Sequence, residues 1–149
     1  MNILFVCTGN TCRSPMAEAI LKGEGIPGVA VRSAGVSAVG GLPPAHHAES
    51  LIKENGLPPA GPSAVADEAL VDWADLILAM TDSHRRALER SVRLAKGKTF
   101  LLNSYVGLGD RDIADPFGGG EEDYRRAFGE LNKAVGLLAE SLRRNMKQP

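Results

Sequence analysis

Four short apolar runs divide the chain: Ile3-Leu4-Phe5-Val6, Val29-Ala30-Val31, Leu76-Ile77-Leu78-Ala79-Met80 and the segment from Thr99 to Leu102. Runs this short, with no polar residue at every second position, fit strands buried on both faces rather than half-exposed ones. The stretches between them space their apolar residues three and four apart, as helices do. The pattern predicts strands at Asn2–Val6, Val29–Ser33, Leu76–Met80 and Thr99–Leu102, and helices at Pro15–Lys22, Ala45–Asn55, Asp67–Trp73, Ser83–Ser91 and Glu121–Arg144. The last helix carries the strongest signal, because Tyr124, Phe128, Leu131, Val135, Leu138 and Leu142 recur on one face, a stripe that reads as core. Strands alternating with helices point to parallel pairing through crossover helices. The predicted fold class is therefore α/β: a single-domain four-stranded parallel sheet with helices on both faces, spanning residues 1–149. The Gly- and Pro-rich stretches Gly23–Gly28 and Leu57–Pro62 are loops inside it, and no repeat is visible.

The first strand runs straight into Cys7-Thr8-Gly9-Asn10-Thr11-Cys12-Arg13-Ser14-Pro15, and Pro15 opens a helical pattern. A cysteine six positions before an arginine brings together a sulfur nucleophile, a row of backbone N–H donors and a fixed positive charge, parts that suit a phosphate ester or amide. A free cysteine has a pKa of about 8.5. At a helix N-terminus beside an arginine it ionises more readily, which is the expectation for Cys7. No proline interrupts the loop, so the amides of Thr8, Gly9, Asn10, Thr11 and Cys12 can all turn inward on phosphate oxygens. Gly9 is expected to supply a positive φ, and Asn10, which tolerates the left-handed region, to tie the loop to itself. Arg13 offers a planar fork of donors to two phosphate oxygens. Ser14 is placed to cap the helix beginning at Pro15, or to donate to the Cys7 sulfur. The plainer reading is a buried cysteine ending a strand with a solvated arginine beside it; the strand-to-helix context argues against that. Cys7 and Cys12 are the only cysteines, and no Cys/His pair at ligand spacing follows, so a zinc site does not fit and no metal or organic cofactor is implied. On oxidation the two thiols, close together in one tight loop, are expected to pair reversibly.

A cysteine nucleophile needs a proton donor for the leaving group, and a carboxyl group near a mobile loop suits that role. Asp110, Asp112 and Asp115 all lie in Asp110-Arg111-Asp112-Ile113-Ala114-Asp115-Pro116-Phe117-Gly118-Gly119-Gly120, which proline stiffens on one side and glycines free on the other. Asp115 is the candidate of choice, but spacing alone does not choose among the three, and Asp-Pro is an ordinary turn dipeptide.

These residues resemble the low-molecular-weight protein tyrosine phosphatase family, through Cys7 to Pro15, Ser33-Ala34-Gly35 and Asp115-Pro116-Phe117, and the likeness covers essentially the whole chain. The resemblance implies that Cys7 is the nucleophile, Arg13 the phosphate binder and Asp115 the general acid, with Ser14, Asn10 and Ser33 as supporting hydrogen-bonders. Within the family the residue before the second cysteine is usually aliphatic in tyrosine phosphatases, whereas bacterial protein-arginine phosphatases resemble this sequence in having threonine, here Thr11. Met80-Thr81 and Gly118-Gly119 also look like the arginine-specific branch. The resemblance therefore implies a phosphatase acting on phosphorylated proteins, with phosphoarginine preferred and phosphotyrosine the alternative. Two features depart from the family pattern. The loop from Val36 to Pro44 holds no aromatic residue, and Asn55-Gly56 stands where relatives often have a histidine that supports the cradle.

The 149 residues carry a formal charge of −1, which gives no reason to expect nucleic acid or a membrane as partner. Arg85, Arg86, Arg90, Arg93, Lys96 and Lys98 are most simply a solvated helix face and its exit, and His46 and His47 are read as solvated. Met1 leads directly into strand residues, without a signal-peptide pattern, so a cytoplasmic location with reduced thiols is expected. Oligomeric state is not legible. Two rival functions fit the residues less well. A thioredoxin-linked arsenate reductase needs a downstream resolving cysteine, and none follows Cys12. A non-catalytic phosphate-binding module has no use for Cys7, Arg13 and an acid together.

Overall fold

The computed structural model describes residues 1–146. Strand β1 (Asn2–Cys7) is the centre of the sheet, as its unbroken apolar run demands: Ile3, Leu4, Phe5 and Val6 are all fully buried. Strands β2 (Ala30–Gly35) and β3 (Leu76–Ala79) pair with it on either side, and β4 (Thr99–Leu101) pairs with β3. All pairs are parallel, in the order β2-β1-β3-β4.

Alternate residues of β1 feed two separate cores. Ile3, Phe5 and Cys7 face α1 (Arg13–Gly23), α2 (His46–Glu54) and the long α6 (Glu121–Met146), through Met16, Ile20, Leu51, Leu131, Val135 and Leu138 among others. Leu4 and Val6 face α3 (Glu68–Trp73), α4 (Asp82–Ser91) and the short turn at Arg93–Ala95, through Val71, Leu88 and Ala95. A last short helix, α5 (Leu102–Tyr105), follows β4. Among the described residues no helix is long and apolar enough to cross a membrane.

From β1 the chain passes to β2 on one side, then returns across β1 to β3 on the other. The carboxyl ends of β1 and β3 therefore border the crevice where connections diverge, the place where open α/β sheets hold ligands. The loop after β1 and the segment around Ile113 meet there; the Ile113 amide donates to the Met80 carbonyl at 2.9 Å, at the end of β3.

Every expected element is present with its ends within two residues of the expectation, and three of the shifts bear on the site and the sheet. Strand β2 continues to Gly35, because its register with β1 runs on to Cys7↔Gly35, while Val29 falls in a turn closed by Ile26. Leu102 belongs to α5 rather than to β4. Helix α1 begins at Arg13, two residues earlier than Pro15 alone would place it.

Gly35 is the tightest point of the sheet edge beneath the loop: a Cβ there would overlap the Thr8 carbonyl oxygen and lie 2.9 Å from the Asn10 amide nitrogen. We predict that Gly35→Ala lowers the unfolding free energy by about 1–3 kcal/mol and reduces kcat/KM on an aryl phosphate. Gly129→Ala, in an exposed part of α6 with open space around it, should instead stabilise by roughly 0.5–1 kcal/mol. Denaturant titration of the two variants checks both.

Candidate active site

The loop from Thr8 to Cys12 joins the buried end of β1 to a helix whose residues from Arg13 to Leu21 are all buried. Asn10 makes the turn, with φ at 58°. Gly9 does not adopt the positive φ expected of it; the asparagine takes that conformation because its side chain is held on three sides. Asn10 Oδ1 accepts from the Ala64 amide at 2.9 Å, and Nδ2 donates to Ser33 Oγ at 2.9 Å and to Ser14 Oγ at 2.8 Å. Ser33 in turn donates its hydroxyl hydrogen bond to buried Glu18, which Lys22 balances at 2.6 Å. Ser14 Oγ, already accepting from Asn10, has its hydroxyl hydrogen free for Cys7 Sγ, 2.8 Å away. The chain of donors thus ends on the sulfur, where a thiolate accepts.

This geometry also corrects the reading of Ser14 as a helix cap. Cys12 occupies the capping position and makes no side-chain cap bond, while Ser14 lies inside the first turn and serves Cys7. Among the described residues, no amide from Thr8 to Cys12 donates a hydrogen bond. A run of such donors at a helix N-terminus attracts an anion.

Arg13 is 3% exposed. Its Nη1 donates to the Ile113 carbonyl at 3.0 Å, Nη2 lies 3.4 Å from Asp115 Oδ2, and Nε is buried without a partner among the described residues. Cys7, Thr8, Gly9, Thr11, Cys12, Arg13, Asp115 and Phe117 line one cavity of ≈ 290 Å³. Of the three loop carboxylates only Asp115 lines it. Asp112 accepts from the Asp82 amide at 2.9 Å and Asp110 from Ser104 at 3.2 Å, so both are tied down elsewhere. Asp115 Oδ1 accepts from the Phe117 amide at 3.0 Å, an Asx turn that leaves Oδ2 toward Arg13 and Phe117 78% exposed at the rim.

Two contacts to the loop come from residues that the sequence did not single out for it. His84 of α4 places Nε2 2.7 Å from Thr8 Oγ1, across 76 residues of chain. Burial first, and the Arg13 charge second, pull its pKa down from 6.5 to about 4, so the ring is neutral. Tyr124, known from the sequence only as a core position, has its hydroxyl 3.3 Å from Cys12 Sγ. Burial and the Cys12 contact push its ionisation well above the usual phenol range, so it remains an O–H group. No local pattern signals either contact, since each partner arrives from a distant element. His47 is half-buried rather than solvated, its ring centroid 5.2 Å from that of Tyr124. Asn55 bonds back to the Leu51 carbonyl, and Arg85 and Arg86 pair with Asp82, as a solvated helix face does.

A sulfur held by a hydroxyl donor, ringed by open amides and an arginine, with a carboxylate across the cavity, defines a cysteine-dependent phosphatase site on an α/β sheet. The chain belongs to the low molecular weight phosphotyrosine protein phosphatase family, whose model matches residues 2–148. It is 49% identical over 140 residues to a protein-arginine-phosphatase of Geobacillus stearothermophilus, covering 94% of this chain and 95% of that protein. A solved structure of the YwlE arginine phosphatase from Geobacillus stearothermophilus superposes with a TM-score of 0.93 at 47% identity, covering 97% of this chain and 94% of the other. A mutant of YwlE arginine phosphatase with a phosphorylated active-site serine superposes with a TM-score of 0.91 at 39% identity, covering 96% of each chain.

The neutral state of His84 has a consequence for stability. Between its ordinary pKa of 6.5 and its folded value of about 4, the unfolded chain binds a proton that the folded chain refuses. The contribution of the neutral ring is therefore complete above about 6.5 and is lost as pH falls toward about 4. Chemical denaturation across that window should give a steeper loss of unfolding free energy for wild type than for His84→Gln.

Proposed function

We propose that this chain is a protein-arginine phosphatase that works through a phosphocysteine at Cys7. The observation that carries the reading is the set of open amides from Thr8 to Cys12 around a sulfur to which Ser14 donates, with the Arg13 guanidinium beside it. In this reading the amides of Thr8, Gly9, Asn10, Thr11 and Cys12, together with Arg13 and Ser14, bind the phosphoryl group. The Cys7 thiolate attacks phosphorus in line with the leaving group. The P–N bond breaks, and Asp115, protonated at this stage, gives its proton to the departing guanidino nitrogen. Asp115, now a carboxylate, takes a proton from water, which attacks phosphorus, breaks the S–P bond and releases phosphate. Ser14 donates to the sulfur in both steps, and Ser33 and Glu18 hold Asn10, which holds Ser14. Preorganised donors of this kind act on charge as it develops and need no rearrangement. The phosphorylated serine in the related arginine phosphatase fits the same covalent route.

Substrate class rests on Thr11, one of the residues that line the cavity. A hydroxyl there gives a polar guanidino group a partner, whereas a phenol ring favours an apolar wall. The naming of the similar protein from Geobacillus stearothermophilus as an arginine phosphatase supports this choice. Exposed Phe117 at the rim favours the second reading, phosphotyrosine, because an aromatic ring can stack on it. The cytoplasmic, thiol-reducing location expected from the sequence belongs to the same proposal.

Three variants test it on matched phosphoarginine and phosphotyrosine peptides. Cys7→Ser should abolish turnover on both. Asp115→Asn should lower kcat by about 10²–10⁴. Thr11→Ile should shift kcat/KM from phosphoarginine toward phosphotyrosine; equal preference in wild type and this variant would remove the specificity claim and leave the phosphatase chemistry standing.

A further inference from the structure

Thr8 has a second group that this mechanism leaves unused. Its residue lines the cavity together with Thr11, and its Oγ1 lies 2.7 Å from Nε2 of His84. His84 is 6% exposed, and its Nδ1 makes no hydrogen bond among the described residues, so Thr8 is the sole hydrogen-bond partner of the ring. A neutral imidazole has one N–H. If the proton is on Nε2, the ring donates to Oγ1, which keeps one lone pair and its own O–H. If it is on Nδ1, Thr8 donates to Nε2 and both lone pairs of Oγ1 remain. Either tautomer leaves Oγ1 of Thr8, a residue that lines the cavity, with a lone pair able to accept.

We propose that Thr8, fixed by His84, is a second specificity element: its Oγ1 accepts a hydrogen bond from an N–H of the substrate's guanidino group. The inference rests on the phosphoarginine reading and deepens it. A phosphoarginine guanidino group brings N–H donors that need partners once desolvated, and a phenol ring brings none, so an acceptor at this wall discriminates between the two. The neutral ring matters for the same reason. A protonated His84 would set a second positive charge beside Arg13, opposite a cationic leaving group, whereas the low pKa produced by burial keeps that charge away. His84 is a positioning residue in this scheme, acting through Thr8 without touching substrate.

The test compares wild type, Thr8→Val, His84→Phe and His84→Gln on phosphoarginine and phosphotyrosine peptides of one sequence. Thr8→Val and His84→Phe should each lower the phosphoarginine-to-phosphotyrosine ratio of kcat/KM by about 3- to 10-fold, expressed mainly in the phosphoarginine KM. His84→Gln, whose side-chain amide reaches the position of Nε2, should hold the wild-type ratio. Equal losses on both substrates, with the ratio unchanged in Thr8→Val, would overturn the proposal and leave His84 with a packing role alone. A wild type that prefers phosphotyrosine would overturn the phosphoarginine reading and this inference with it, which separates the two failures.

Discussion

The carboxamide of Asn10 accepts one hydrogen bond and donates two, all inside the protein, where the residue is 2% exposed. A buried amide left without one of these partners costs about 1–3 kcal/mol, and here the loss would fall on a residue already in the left-handed region. Those bonds hold an unfavourable backbone conformation in place, and that conformation gives the loop its curvature. They also tie three elements to one point: the start of α1 through Ser14, strand β2 through Ser33, and the segment after Gly61 through Ala64. The cavity is shaped before any substrate arrives.

The fold supplies two kinds of wall. One is stiff: β1 inside the sheet and the first nine residues of α1, which lies between the sheet and α6, are buried almost throughout. The other is the segment from Asp110 to Gly120, anchored at Ile113 by Met80 and Arg13 and at Asp110 and Asp112 by Ser104 and the Asp82 amide, with most of its residues exposed. Sulfur and arginine sit on the stiff wall, where misplacement by even an ångström is expensive in rate. The carboxylate sits on the looser one, at 54% side-chain exposure, which suits a group that must meet both substrate and water.

Much of this was legible in the chain. The apolar runs located all four strands, and the stripe from Tyr124 to Leu142 located α6, because burial on both faces and helical spacing are local properties. The loop from Cys7 to Ser14 was readable for the same reason: its parts are contiguous. Gly9 misled, since glycine freedom is only a permission, and the conformation went to the residue with hydrogen bonds to hold it. Spacing could not choose among Asp110, Asp112 and Asp115; the resemblance favoured Asp115, and the structure places the other two against Ser104 and the Asp82 amide. His84 and Tyr124 were out of reach as loop contacts because they become neighbours of Thr8 and Cys12 only through tertiary packing, 76 and 112 residues away along the chain.

The bond from Arg13 to the Ile113 carbonyl spans 100 residues, and the face of α1 that carries Met16 and Ile20 is covered by α6, the last of the described helices. A ribosome delivers Cys7 before either of these. Until α6 has left the exit tunnel, the nascent chain holds a reactive thiol on a helix with an uncovered apolar face, in a half-built protein open to sticking and oxidation. Emergence of α6 is thus the event that both closes the packing behind the site and shelters its sulfur.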